Sequence, residues 1–144
     1  MGISRKASAH WEGDLKTGTG TLHTPQSGLL DGTRYGFNSR FGGEKGTNPE
    51  ELIAAAHAGC FTMALSAKLT EAGHPPEALD GGAEIDLSMD GGPALSAIRL
   101  TMKAKVPGLD EAKFRAIAED AKQNCPVSRA LASVPITLEA ELVG

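Results

Sequence analysis

Aromatic residues are scarce in this chain: Phe, Trp and Tyr make up 4% of 144 residues, so Ala, Leu and Ile must do most of the packing. A dimer interface could supply what so lean a core lacks. Basic clusters are missing as well, since 14 Lys and Arg stand scattered against 18 Asp and Glu for a formal charge of −4. Phosphate neutralisation then cannot supply binding energy, and nucleic acid is not an expected partner. No stretch approaches the roughly 20 apolar residues of a membrane span, and the opening MGISRKASAHWEG holds no apolar run that could act as a secretory signal. Lys6 stands where a myristoylation motif wants Ser or Thr, which removes Gly2 as a lipid site. A cytoplasmic protein that does not associate with membranes is expected. The glycines of FGGEKG lack the Lys-Ser/Thr of a phosphate loop, and no strand–GxGxxG–helix unit occurs, so no nucleotide cofactor is expected. His10, His23 and His74 show no spacing that completes a four-ligand zinc set, so no metal is expected either.

What remains has the length of one domain, residues 1–144, large enough to bury a core unaided. Residues 8–41 read as short strands, SAHWEG, GTGTLHT and GTRYGFNSRF, punctuated by Gly and Pro25 into an antiparallel meander. A long helix is expected next. Asn48 can cap it, Pro49 suits its first turn, Glu51 completes a capping-box spacing, and Gly73 is a stop. Leu52, Ala56, Cys60, Met63 and Ala67 recur at steps of three and four and would form its apolar stripe. Two alternating segments, GGAEIDLSMD and ALSAIRLTMKAKV, read as a hairpin turned at DGGP. Asp110 to Asn124 reads as an amphipathic helix with Phe114, Ile117, Ala118 and Ala121 on one face. A short helix from Pro126 and a last strand, VPITLEAELV, follow. Strands and helices segregate into runs, which argues an α+β fold.

The chemistry rests on two cysteines. In a reducing compartment Cys60 and Cys125 are not a folding staple, and the 65 positions between them exclude a CxxC motif. A thiol on an apolar stripe stays inert unless a cation stabilises its thiolate. The nearest candidate is Arg40, which Glu50 or Glu51 could hold by a bidentate pair. Arg40 also reads as a solvated strand charge, and Glu51 as a helix cap. Ten residues of helix at a rise of roughly 1.5 Å put Glu50 about 15 Å from Cys60, so one helix cannot bring them together and a dimer interface is preferred. Cys125 precedes Pro126 at a helix start, where exposed N–H groups favour a thiolate. His57, one turn before Cys60, could serve a Cys–His hydrolase, although an ordinary helix histidine accounts for it as well. Phe37, Phe41, Leu52, Ile53, Phe61 and Met63 are candidates for an apolar substrate pocket, with ordinary core as the competing role.

The segments AHWEGDLKTGTG, YGFNSRFGGEKGTNPEELIAAAHAGCFTMALS, VPGLD and AKQNCPVSRAL resemble the OsmC family of osmotically inducible bacterial proteins, which belongs with the organic hydroperoxide resistance proteins. The likeness spans nearly the whole chain. It implies an intertwined α+β homodimer of antiparallel sheets and a long central helix, with active sites at the interface. It implies a peroxidatic cysteine at Cys60, a resolving cysteine at Cys125, and Arg40 and Glu50 as the pair that tunes the thiolate. An organic hydroperoxide substrate, a lipoyl-type dithiol reductant and a role in oxidative and osmotic stress follow from the same resemblance. The competing reading from another class is a non-enzymatic, stress-induced scaffold or apolar-ligand-binding dimer whose thiols only pack.

Overall fold

The computed structural model describes residues 2–144, which divide into two compact units, one ending at Leu52 and one running from Ile53 to Gly144. In the first unit, β1 (Ser8–Glu12), β2 (Thr19–His23) and β3 (Asp31–Tyr35) form the expected antiparallel meander in the order β1-β2-β3. Trp11 and Tyr35 meet edge-on at 5.6 Å across buried Gly20, where a Cβ would run into both rings. Only glycine fits there.

Residues 37–41 depart from the expected strand. Phe37–Phe41 forms a single helical turn, α1. The Ser39 hydroxyl accepts from the Gly36 amide at 3.0 Å and meets the Thr47 carbonyl at 2.9 Å, which ends the strand and closes the following loop on the turn. Phe37 and Phe41, four apart, then pack ring to ring at 5.0 Å, the spacing of helix neighbours.

Helix α2 (Pro49–Glu71) begins in the first unit and continues through the second. Asn48 Oδ1 accepts from the Glu51 amide at 2.8 Å, so the cap forms as expected. The reciprocal half of the box does not, because the Glu51 carboxylate takes the Thr47 hydroxyl at 3.1 Å. Gly73, at φ 85°, stops the helix: its amide donates to the Thr70 carbonyl and the His74 amide to the Leu69 carbonyl, the paired closure of a left-handed glycine cap. The buried row of α2 is displaced from the stripe expected. It runs His57, Phe61, Leu65, Leu69, while Ala56, Met63 and Ala67 are exposed and Cys60 stands half-buried beside it. Phe and two Leu at steps of four offer more apolar area than a row rich in alanine, and burial follows area. By length and composition alone α2 is the one helix among the described residues apolar enough to cross a bilayer, which departs from the expectation that none would be. Its Phe61, Leu65 and Leu69 are committed to the core of the second unit.

That core is built on β4 (Ala78–Ser88), β5 (Ala94–Lys105) and β6 (Ile136–Leu142), with β5 central. Ile98, Leu100, Met102 and Ala104 of β5 alternate inward against α2 and against Phe114, Ala118 and Ala121 of α3 (Glu111–Asn124). Asp110 caps α3 as expected, accepting from the Lys113 amide at 2.9 Å. β4 and β5 form the hairpin, with a register shift at Asp86 and Leu87. β6 departs from the purely antiparallel sheets expected, since it pairs parallel to β5. A parallel neighbour needs a long crossover, here α3 and the short α4 (Pro126–Ala130). Helix α2 lies close against the sheet at Gly81, where any Cβ would collide with Thr62.

Candidate active site

The crossover that makes β6 parallel also delivers the second thiol. Cys125 is the joint between α3 and α4: its amide closes α3 on the Ala121 carbonyl, and its carbonyl opens α4 by accepting from the Arg129 amide, both at 3.0 Å. Extended backbone at Cys125 and Pro126 in the first turn of α4 turn the chain there. The sulfur is thereby directed at α2, and its Sγ lies 3.1 Å from that of Cys60. Both thiols are free. A disulfide bond measures about 2.05 Å, so closing one here needs a movement of about 1 Å.

The two sulfurs differ in access and in electrostatics. Cys125 is fully buried, whereas Cys60 is half-buried. Burial pushes the Cys60 thiol up, the Val127 amide opposes that, and the Cys125 sulfur adds to it. No cation is among these influences. Burial also works against a Cys125 thiolate, but the Ser128 amide, the Cys60 thiol, the Ser128 hydroxyl and the Val127 amide together hold it below its ordinary value. Two sulfurs in contact share their last proton, and the donors around Cys125 favour the negative charge there.

In the first unit, Arg40 and Glu50 meet as anticipated. Arg40 Nε and Nη2 donate to the two carboxylate oxygens of Glu50 at 2.9 and 3.0 Å, a two-pronged pair. The Glu50 side chain is 13% exposed and that of Arg40 is 34% exposed, and the Glu50 contact holds the guanidinium charged more firmly than usual. The Arg40 guanidinium also stands 5.0 Å over the Phe41 ring. Asn48 Nδ2 donates to the Ser39 carbonyl at 3.2 Å and ties the start of α2 to the turn that carries Arg40. Glu51, the other carboxylate considered for Arg40, bonds Thr47 instead.

The remaining candidates scatter. Phe37 and Phe41 pair beside Arg40, and Leu52 and Ile53 are half-buried near the start of α2. Phe61 is wholly enclosed in the core, and Met63 is 77% exposed. His57 does not form a dyad with Cys60. Its ring is fully buried, Nε2 lies 2.7 Å from Ser128 Oγ, and Nδ1 has no hydrogen-bond partner among the described residues. Ser128 was missed altogether from the sequence. The signal present was its place three residues beyond Cys125 across a helix-starting proline, which puts it in the first turn of α4.

Comparison with known proteins places this geometry among relatives. Residues 42–139 match a family model described as OsmC-like protein. The chain is 52% identical over 143 residues to Peroxiredoxin OsmC of Escherichia coli (strain K12), covering 99% of each. It is 36% identical over 99 residues to an organic hydroperoxide resistance protein of Xanthomonas axonopodis pv. citri (strain 306), covering 67% of this chain and 68% of that one. The crystal structure of the organic hydroperoxide resistance protein OhrB of Bacillus subtilis superposes with a TM-score of 0.68 at 27% identity, covering 96% of this chain and 98% of that one.

Proposed function

The chain belongs to the OsmC family, and on that premise we propose that it is a cysteine-based peroxidase that reduces organic hydroperoxides to alcohols. The observation that carries the reading is the contact of one accessible and one enclosed thiol, 3.1 Å apart and 65 positions apart in the chain. The half-exposed sulfur is the more open to a peroxide, which supports attack by Cys60 and resolution by Cys125. The names of the relatives support both the chemistry and the substrate class.

In the first step the Cys60 thiolate attacks the terminal oxygen of the hydroperoxide. The O–O bond breaks, the alkoxide leaves and takes a proton to become the alcohol, and Cys60 is oxidised to sulfenic acid. Cys125 then attacks the Cys60 sulfur, the S–O bond breaks, and hydroxide leaves as water once protonated. An external dithiol returns both thiols by exchange, itself ending as a disulfide. A lipoyl-type dithiol is the reductant that the family resemblance suggests.

Burial alone disfavours the Cys60 thiolate, so the first step requires a cation. Arg40, held rigid by Glu50, is that cation, and it also stabilises the departing alkoxide. We place it on a second copy of the chain, in an intertwined homodimer where Arg40 of the partner subunit faces Cys60. Supporting this, Ala55, Ala56, Gly59 and Met63 leave an exposed row of small and apolar side chains along α2 beside Cys60, which a second copy of the helix would cover. Phe37, Phe41, Leu52, Ile53 and Met63 would then border the alkyl group. Phe61 supports Cys60 from inside the core. The whole of residues 1–144 acts as one peroxidase domain, in the cytoplasm, in defence against oxidative and osmotic stress.

The test is non-reducing mass spectrometry after one equivalent of cumene hydroperoxide. A Cys60–Cys125 disulfide within one chain, with stoichiometric alcohol, is expected, and Cys60→Ser should abolish turnover with dithiothreitol as reductant. Unmodified thiols and no peroxide consumption would remove the assignment in favour of a binding protein. An over-oxidised Cys60 beside an untouched Cys125 would return Cys125 to a packing role.

A further inference from the structure

A short helix follows the second thiol, and little apolar contact holds that helix in place. In α4, Pro126, Arg129 and Ala130 are exposed, while Val127 and the following Leu131 are only half-buried. Extended backbone at Cys125 interrupts the helix, so α3 does not fix the direction of α4. Among the described residues, two contacts between side chains join this segment to α2. One is the approach of Cys60 and Cys125 at 3.1 Å, and the other sets His57 Nε2 2.7 Å from Ser128 Oγ.

The two contacts are rungs of one ladder. His57 stands one turn before Cys60 on α2, and Ser128 stands one turn after Cys125, so the segments pass antiparallel with 57 facing 128 and 60 facing 125. A lone sulfur contact would leave α4 free to swivel about it, and a second rung one turn away removes that freedom. Both ends of the second rung are enclosed, His57 at 0% and Ser128 at 4% exposure, so breaking the bond strands two buried polar groups. Nδ1 of His57 has no hydrogen-bond partner among the described residues. A buried N–H without an acceptor costs more than a lone pair without a donor, which assigns the proton to Nε2 and makes Ser128 Oγ the acceptor.

We propose that His57 is a positioning residue for the resolving step: its hydrogen bond to Ser128 pins α4 to α2 and holds Cys125 within reach of Cys60 before the two sulfurs are bonded. The proposal rests on the assignment of Cys125 as resolving cysteine and adds what keeps the pair together. In that step the electron pair of the Cys125 thiolate forms the S–S bond, the S–O bond of the Cys60 sulfenic acid breaks, and the departing hydroxide takes a proton from solvent to become water. His57 and Ser128 exchange no proton with either sulfur, and their contribution is orientation. With α4 already fixed, its ordering does not have to accompany the reaction. Tie and disulfide favour the same arrangement, so each strengthens the other by the same factor.

The experiment separates this proposal from the peroxidase reading, because its first arm needs no peroxide. The protein is equilibrated with mixtures of glutathione and glutathione disulfide, quenched in acid, alkylated, and its Cys60–Cys125 disulfide measured by mass spectrometry. In Ser128→Ala and His57→Leu the effective concentration of one thiol toward the other should fall about tenfold, the worth of about one buried hydrogen bond. His57→Gln, whose amide N–H takes the place of Nε2–H, is expected to restore most of it. In the second arm, one equivalent of cumene hydroperoxide is added and the passage from sulfenic acid to disulfide is followed by rapid quench. Closure should slow about tenfold in Ser128→Ala and stay near the parent rate in His57→Gln. An exchange equilibrium unmoved in Ser128→Ala overturns the proposal, even where denaturant titration shows a loss of stability. A loss in His57→Leu that His57→Gln does not recover also overturns it, since packing would then be the cause. Ser128→Ala removes one oxygen from a small side chain, so the test stands even if His57→Leu fails to fold. A parent protein that forms no sulfenic acid defeats the peroxidase reading, and the exchange arm still decides the role of His57.

Discussion

Arg40 and Glu50 are locked together by two parallel hydrogen bonds, 2.9 and 3.0 Å long, although they lie on separate helices joined by a glycine-containing loop. The pair fixes a planar cation in one orientation, which a monodentate contact would not. Glu50→Gln should leave Arg40 charged but free to rotate, lowering kcat/KM for cumene hydroperoxide by about 10²-fold, and Arg40→Lys should do no better because an ammonium cannot make the fork. Steady-state kinetics check this. Full activity in either variant would take Arg40 out of the reaction.

The burial of His57 has a consequence for stability. Burial holds its pKa below the ordinary 6.5, so on acidification the unfolded chain binds a proton that the folded chain refuses. Unfolding then takes up a proton, and stability must fall as the pH drops below about 6.5. Urea unfolding midpoints between pH 5 and 7.5 should show this decline, and His57→Gln should flatten it. A decline of the same steepness in the variant would assign it to other groups.

At Gly81 α2 packs close against its sheet, with Thr62 in the space that a Cβ would need. Gly81→Ala should lower stability by about 1–3 kcal/mol by pushing the helix away. Adding Thr62→Ala should recover much of the loss, since it vacates the contested space. Denaturant titration of the two single variants and the double variant measures the coupling, and strict additivity would show that the contact is not the cause.

Two neighbours on α2 should respond in opposite ways. Phe61→Ala empties the centre of the core and is expected to cost about 3–5 kcal/mol. Met63→Ala alters a side chain that is 77% exposed, and within one chain it should change stability by no more than about 0.5 kcal/mol. If Met63 borders the substrate or a second copy, its effect will appear in KM or in the dimerisation constant measured by sedimentation. Silence in both would leave Met63 as plain surface.

Much of the second unit was legible in advance because its signals are local. Asp110 with Phe114, Ala118 and Ala121, and Gly73 at the helix stop, are read from spacing that the backbone itself imposes. The buried face of α2 is not legible in the sequence because small and large apolar residues surround that helix, and only packing in the core decides which row turns inward. The turn at residues 37–41 is not legible in the sequence because Ser39, whose hydroxyl ends β3, acts through contacts to Gly36 and Thr47 that no alternation pattern displays. The parallel pairing of β6 was hidden because a strand's direction relative to its neighbours depends on the crossover between them.

The sequence by itself determined the inventory: two thiols with no partner metal set, a helix start with its cap, a proline after the second cysteine, and one arginine with a carboxylate ten residues on. Tertiary structure alone decided that the two sulfurs touch, that one is enclosed and the other open, and that His57 reaches Ser128 in place of Cys60. Residue type and local spacing carry propensity and reactivity, but proximity between positions 65 apart exists only once a core has closed around them.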